Sequence, residues 1–210
     1  MLNTRRTIAI LSTAISMACV LSAHADIIFS AASTTASAGS TGNSFEVDIT
    51  NTGSSAVQIG GFVFEITTAN SAVTFTDATT STTTYDYIFD GNSFFGPDIS
   101  ASGSGQTFDA TDIASTPSSY TTLVAGETLG LGEIFFDLAS GASSGTVSFN
   151  LDNSSLSDGD GNPISIDSTN SGLITVSSVT PEPTSLLLAA TGALALFGTS
   201  RRRLRQPART

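Results

Sequence analysis

The chain has 210 residues, enough for one ordinary domain with segments at its ends. It carries 7 basic and 18 acidic residues, and all 18 carboxylates lie between Asp26 and Glu182, a stretch without Lys, Arg, His or Cys. That inventory excludes nucleic-acid and phosphate binding through cations, Ser-His-Asp, Cys-His and Schiff-base catalysis, tetrahedral His/Cys zinc sites and a disulfide framework.

Residues 1–25 read as a secretory signal peptide. Arg5 and Arg6 form a charged start, Ile8 to Leu21 is an apolar run, and Ala23-His24-Ala25 places small residues where signal peptidase cuts. The apolar run predicts a signal helix, and the cleavage site predicts a mature N-terminus at Asp26. Cys19 lacks a leucine three residues before it, which argues against a lipoprotein.

The body, 26–178, shows alternation rather than helical period. Phe45, Val47 and Ile49 alternate with Glu46 and Asp48; Phe62, Phe64 and Ile66 alternate with Val63 and Glu65; Val73 and Phe75 follow. Residues 77–128 are less regular. Thr79–Thr84 is an almost pure Thr/Ser run, expected as a loop or edge strand, and Ser100–Gly105 is expected to be flexible. Between them Tyr85, Tyr87, Phe89, Phe94 and Phe95 cluster, either as a sugar-stacking platform or as the packing of a long insertion. Alternation resumes at Ile134, Phe136 and Leu138, then at Val147, Phe149 and Leu151, and Leu173 to Val176 closes the body. Short runs bounded by Gly, Ser, Asn and Asp predict an all-β, antiparallel sandwich of jelly-roll type. A body of about 155 residues buries roughly 68–70% of its unfolded surface and needs no covalent staple.

Asp158-Gly159-Asp160-Gly161-Asn162 spaces oxygen side chains at alternate positions, as many calcium loops begin. It is not an EF-hand, since Pro163 stands where that loop needs Gly and Thr169 where it needs Glu. Two readings stay open: a Ca²⁺ site at Asp158, Asp160 and Asn162, or a solvated turn rich in turn formers.

The tail, 179–210, has three parts. Pro181-Glu182-Pro183 holds the chain extended, residues 184–200 form an apolar segment, and Arg201, Arg202, Arg203 and Arg205 head a basic end at 201–210. About 17 residues make a helix of roughly 25 Å, short for a 30 Å hydrocarbon core, but snorkelling arginines extend its reach and hold its end on the cytoplasmic side. The segment is therefore predicted as a transmembrane helix that stops transfer.

This ordered tail resembles the PEP-CTERM sorting signal of bacterial exported proteins. The resemblance implies that Pro181, Glu182 and Pro183 are read by an exosortase, a membrane-embedded enzyme that removes the tail near the triplet. It also implies exopolysaccharide-producing bacteria with an outer membrane. The body resembles cohesin-type sandwiches in three pieces: the strand near 44–50 ending in Asn51-Thr52-Gly53 with Ile59-Gly60-Gly61-Phe62 after it, Leu131–Phe136 leading to Val147-Ser148-Phe149, and Leu156–Asn162 with Gly172–Val176. Only the fold is carried over, because no interface residue can be matched.

Carboxylates, hydroxyls and tyrosines could serve glycoside hydrolysis, but no local motif pairs two carboxyls. The expectation is a non-enzyme: a protein exported with the help of signal peptidase, anchored transiently in the inner membrane, processed by an exosortase and left at the cell surface or in the matrix. Its sandwich would serve adhesion or binding, to extracellular polysaccharide or a surface protein. A carbohydrate- or ice-binding module is the alternative, and a glycoside hydrolase the more distant one.

Overall fold

The computed structural model describes residues 25–96, 99–116 and 120–178, together with Leu188 and Thr191. The predicted signal helix and Ala23 of its expected cleavage site, the triplet Pro181–Pro183, Arg201–Arg203 and Arg205, and all of 184–200 save two positions lie outside the described residues. Ala25 packs half-buried against the core. Leu188 and Thr191 are helical, with Thr191 Oγ1 donating to Leu188 O at 3.0 Å. Among the described residues no helix is long and apolar enough to cross a membrane.

Alternating side chains make strands here because one face of each strand can be buried while the other stays wet. In chain order the strands are β1 (Ile27–Ala31), β2 (Thr34–Ser37), β3 (Asn43–Asn51), β4 (Val57–Ile59), β5 (Gly61–Thr67), β6 (Val73–Thr79) and β7 (Ser100–Ser104). There follow β8 (Thr107–Ile113), β9 (Thr121–Leu123), β10 (Thr128–Leu138), β11 (Gly145–Ser157), β12 (Pro163–Ile164), β13 (Ser168–Asn170) and β14 (Gly172–Ser177). Sheet A has the order β13-β1-β3-β10-β6, and sheet B has β2-β14-β11-β5-β8-β7 with β12 beside β11. The pair β4-β9 stands apart.

The predicted inward residues are inward. Phe45, Val47, Ile49, Phe62, Phe64, Ile66, Ile134, Phe136, Phe149 and Leu151 are all buried. Phe45 stacks on Phe149 across the two sheets with ring centroids 4.3 Å apart, and Phe62 stacks on both Phe64 and Phe89 at 5.9 Å. Each fully buried phenylalanine contributes on the order of 2–3 kcal/mol. One segment differs from expectation: Ser100–Ser104 is edge strand β7, paired with β8 from Ser100↔Thr111 to Ser104↔Thr107. Its small side chains lack an apolar phase, so periodicity could not mark it.

The first and last strands set the geometry of the ends. β1 runs parallel to β13 (Ile28↔Ser168), and β2 runs parallel to β14 (Ala36↔Val176). Both chains cross from sheet A to sheet B together, keeping the same 140-residue offset through hydrogen bonds such as Ile27 N to Asp167 Oδ2 (2.6 Å) and Ser37 Oγ with Ser177 Oγ (3.1 Å). The sandwich therefore has a leader end, where Ile27 begins, and a tail end, where Ser177 finishes. The leader end carries 52–56, 80–96, 124–127 and 158–167; the tail end carries 38–42, 68–72 and 139–144.

Candidate functional site

The two outer faces differ in what covers them. Sheet A is crossed by residues 80–88. Thr84 N donates to Glu46 Oε1 (2.8 Å), Thr83 N donates to the same oxygen, Gly130 N donates to Asp86 O (2.9 Å) and Ile88 N to Gly130 O (2.9 Å). The Thr79–Thr84 run is thus mostly a strap, and Glu46 is its clamp. Burial raises the Glu46 carboxyl, but hydrogen bonds from Thr84 and Thr83 outweigh that and hold it below the usual range. Two residues along the same strand, burial and the Glu46 charge push Asp48 up to about 7. A carboxyl pair with opposite shifts resembles an acid and a base, but Glu46 is tied beneath the strap.

Sheet B keeps apolar side chains in solvent. Val63, Ile113 and Leu173 are exposed on its outer face, where the polar phase of the alternation should stand. Val63, Thr111, Ile113, Ser155 and Pro163 line a shallow cavity of about 240 Å³. Carboxylates neighbour this patch: Thr67 Oγ1 donates to Asp152 Oδ2 (2.7 Å), and Asn153 Nδ2 donates to Glu65 Oε1 (3.0 Å). Asn153 sits in a bulge between Asp152 and Ser155 with φ 45°, a left-handed conformation that Asn tolerates better than most residues. Apolar residues out of phase in an alternating strand were the available sequence signal for this face.

The aromatic group divides. Tyr87 and Phe89 are core, with their rings edge to face at 6.3 Å. The Tyr87 hydroxyl donates to Asp112 Oδ2 at 2.7 Å, and Asp112, fully buried, also accepts from Ile113 N at 2.7 Å. Burial, then that hydrogen bond, keep the Tyr87 hydroxyl protonated far above its ordinary range. Sequence reading missed Asp112, because an acidic residue on the inward phase is legible only once its partner is in place. Tyr85, Phe94 and Phe95 are exposed, the last two edge to face at 5.2 Å. Beside them lies a cavity of about 430 Å³ lined by Tyr87, Phe89, Asp90, Asn92 and Ser93 among others.

The 158–162 loop closes on itself. Asp158 Oδ1 accepts from Asp160 N (2.9 Å) and Asn162 N (2.8 Å), and Oδ2 accepts from Asn162 Nδ2 (2.9 Å). Bonds from Asn162, then from the Asp160 and Gly161 backbone, hold the Asp158 carboxyl below its usual range. Asp158 and Asn162 meet as acceptor and donor. Tyr120 lies over the loop and donates to Gly159 O; a Cβ at Gly159 would stand 1.8 Å from its ring, so glycine is required there. Among the described residues no three His, Cys, Asp or Glu side chains gather as a metal cage.

Residues 179–203 match the PEP-CTERM protein-sorting motif. No curated protein sequence matches the chain. Among solved structures, the fold is similar to the seventh ScaB type I cohesin from Pseudobacteroides cellulosolvens: TM-score 0.54, 16% identity, covering 75% of this chain and 96% of that one. It is also similar to the sixth cohesin of scaffoldin B from Acetivibrio cellulolyticus, solved in complex with a dockerin (TM-score 0.54, 11% identity, 72% and 99%). A non-cellulosomal cohesin from the archaeon Archaeoglobus fulgidus aligns with TM-score 0.50 at 15% identity, over 73% and 92%. The chain is an exported protein that carries a PEP-CTERM sorting motif behind a β-sandwich of cohesin-like fold.

Proposed function

We propose that this is a non-enzymatic protein of the cell surface or extracellular matrix, anchored through its tail, processed near Pro181–Pro183 by an exosortase, and carrying a sandwich that binds a protein partner. The observation that supports a binding role is the apolar pair Val63 and Ile113 left in solvent at a shallow cavity, on a sheet flanked by carboxylates. A face of that kind suits a partner offering apolar side chains ringed by Lys or Arg. The body holds no cation of its own to neutralise Glu65, Asp109 and Asp152. The dockerin bound to the Acetivibrio relative shows that the fold can serve protein recognition there.

A carbohydrate-binding role remains the second reading, favoured by one feature: Tyr85, Phe94 and Phe95 stand exposed near a cavity that holds Asp90 and Asn92.

The test is the mass and location of the mature protein in envelope and culture fluid. The expected chain begins at Asp26 and ends near the triplet, and deletion of 179–210 sends the body to the medium uncut at its C-terminus. Combining Val63→Asp with Ile113→Asp should lower surface retention at least ten-fold at unchanged melting temperature. Unaltered retention would remove the sheet B face as the binding site, and loss on Phe94→Ala with Phe95→Ala instead would favour the sugar reading.

A further inference from the structure

The loops at the end of the sandwich where the chain leaves for its tail contain no charged residue. Its loops are Ala38-Gly39-Ser40-Thr41-Gly42, Thr68-Ala69-Asn70-Ser71-Ala72 and Ala139-Ser140-Gly141-Ala142-Ser143-Ser144. They form one surface: Ala38 N donates to Ser177 O, Gly39 N to Ala139 O, Ala139 N to Ala72 O and Leu138 N to Ser40 O, all between 2.8 and 3.2 Å. One carboxylate borders these loops, that of Asp137 near the end of β10, and it accepts from Gly42 N at 2.8 Å. At the leader end stand Asp26, Asp86, Asp90, Glu127, Asp158, Asp160 and Asp167. The parallel register of first and last strands separates the two ends by about ten residues of strand, roughly 30 Å.

Covalent length limits where the neutral end can be. Six residue steps join Ser178 to Thr184, at which the apolar segment starts, and they span at most about 21 Å. Part of that length must cross the headgroup layer, several Å thick. While the tail is in a membrane, the tail end of the body therefore lies within about 15 Å of the lipid surface, on the order of one to two Debye lengths, and the closer it rests the more strongly anionic headgroups repel any carboxylate there.

We propose that the charge-free tail end, loops 38–42, 68–72 and 139–144, is the face that rests on the lipid headgroups while the tail holds the protein, with the acidic leader end pointing away. The inference rests on the anchoring reading above and adds a contact surface to it. Neutral hydroxyl and amide groups such as Asn70, Ser71, Ser143 and Ser144 hydrogen-bond to headgroups without charge repulsion, and the carboxylates orient the long axis outward. This brings the sheet B patch and the 80–96 loops into the space beyond the membrane.

The body has no cysteine, so Ser143→Cys, Ser71→Cys and Ser54→Cys each add a single thiol to it. The full chain, carrying Cys19→Ala so that the added thiol is single and produced in a host without the sorting enzyme, is reconstituted in phosphatidylethanolamine–phosphatidylglycerol vesicles and dye-labelled at these sites. Lipids carrying a headgroup quencher should quench the dye at residues 143 and 71 at least five-fold more than at residue 54. Adding Ser71→Glu in the residue-143 variant should reduce that ratio in anionic vesicles and leave it unchanged in phosphatidylcholine. Equal quenching at both ends, in chains that float with the vesicles, overturns the inference and leaves anchoring intact. Chains that do not float overturn both. Equal quenching together with slowed tail removal by Ser143→Glu in producing cells would give this face to the processing enzyme and take it from lipid.

Discussion

Asp48 has one buried carboxylate oxygen without a hydrogen-bond partner among the described residues, and its neighbour Glu46 adds like charge. An unbonded buried oxygen loses its hydration and gains nothing in return, which favours the protonated form. Its pKa near 7 in the folded state lies above the ordinary carboxyl value of about 3.9 in the unfolded chain. The folded state therefore binds more protons between pH 4 and 7, and stability falls as pH rises through that window. Below pH 4 the penalty is absent, and above pH 7 it is complete. Asp48→Asn should flatten this slope and stabilise the protein at pH 8 by about 1–2 kcal/mol, allowing for partial solvent access. Urea unfolding at pH 4, 6 and 8 for both proteins measures it; parallel slopes would refute it. Glu46 works in the opposite sense, since its depressed carboxyl contributes stability that is lost in acid.

The crossover of β13 into β14 depends on closeness that only glycine permits. A Cβ on Gly172 would meet the Phe149 ring at 2.3 Å and the carbonyl oxygen of Ala31 at 3.0 Å. Phe149 is fully buried and stacked on Phe45, so it cannot withdraw without opening the centre of the core. Gly172→Ala should cost about 1–3 kcal/mol, the range for overpacking a filled site, and should expose amides of both β2 and β14. Hydrogen exchange distinguishes this from a local defect: loss of protection confined to residues 171–173 would count against the paired crossover. The strap over sheet A is an element of another kind. It is held by backbone groups on Glu46 and Gly130, which a Thr/Ser run supplies as well as any sequence. That is why its composition looked like loop and its role was invisible.

At the scale of the molecule, residues 26–182 hold 18 carboxylates with no basic side chain among them. No ion pair can form between side chains of the body, and self-repulsion weakens the compact state more than the extended one. Raising NaCl from 10 mM to 0.5 M at pH 8 should lift the melting temperature by about 5 °C, equal to about 2 kcal/mol for a domain of this size. A melting temperature independent of salt would show that the charges lie too far apart to interact. The charge is also uneven, concentrated toward the leader end and missing from the loops beside Ser177. Linear charge counting cannot show this polarity, because the neutral loops are scattered between residues 38 and 144.

Composition alone settled what chemistry is absent, and alternation at residues 45–49, 62–66, 134–138 and 147–151 settled the sandwich, because a period of two has one stable use when one face is buried. The sorting tail was equally legible, its order of triplet, apolar run and arginines being a linear signal. Strands β7, β12 and β13 were not, since two to five residues without an apolar alternation become strand only when a neighbour supplies their hydrogen bonds. The same holds for sites. In Asp158-Gly-Asp160-Gly-Asn162 the spacing places oxygens at alternate positions, but that the Asn162 amide donates to the Asp158 carboxylate is seen only in the folded loop. Tyr87 and Phe89 left the aromatic cluster for the core, while Val63, Ile113 and Leu173 remained outside it. Which apolar groups stay wet, and at which end the uncharged loops gather, depends on contacts between residues as many as 141 positions apart, and these exist only in the folded chain.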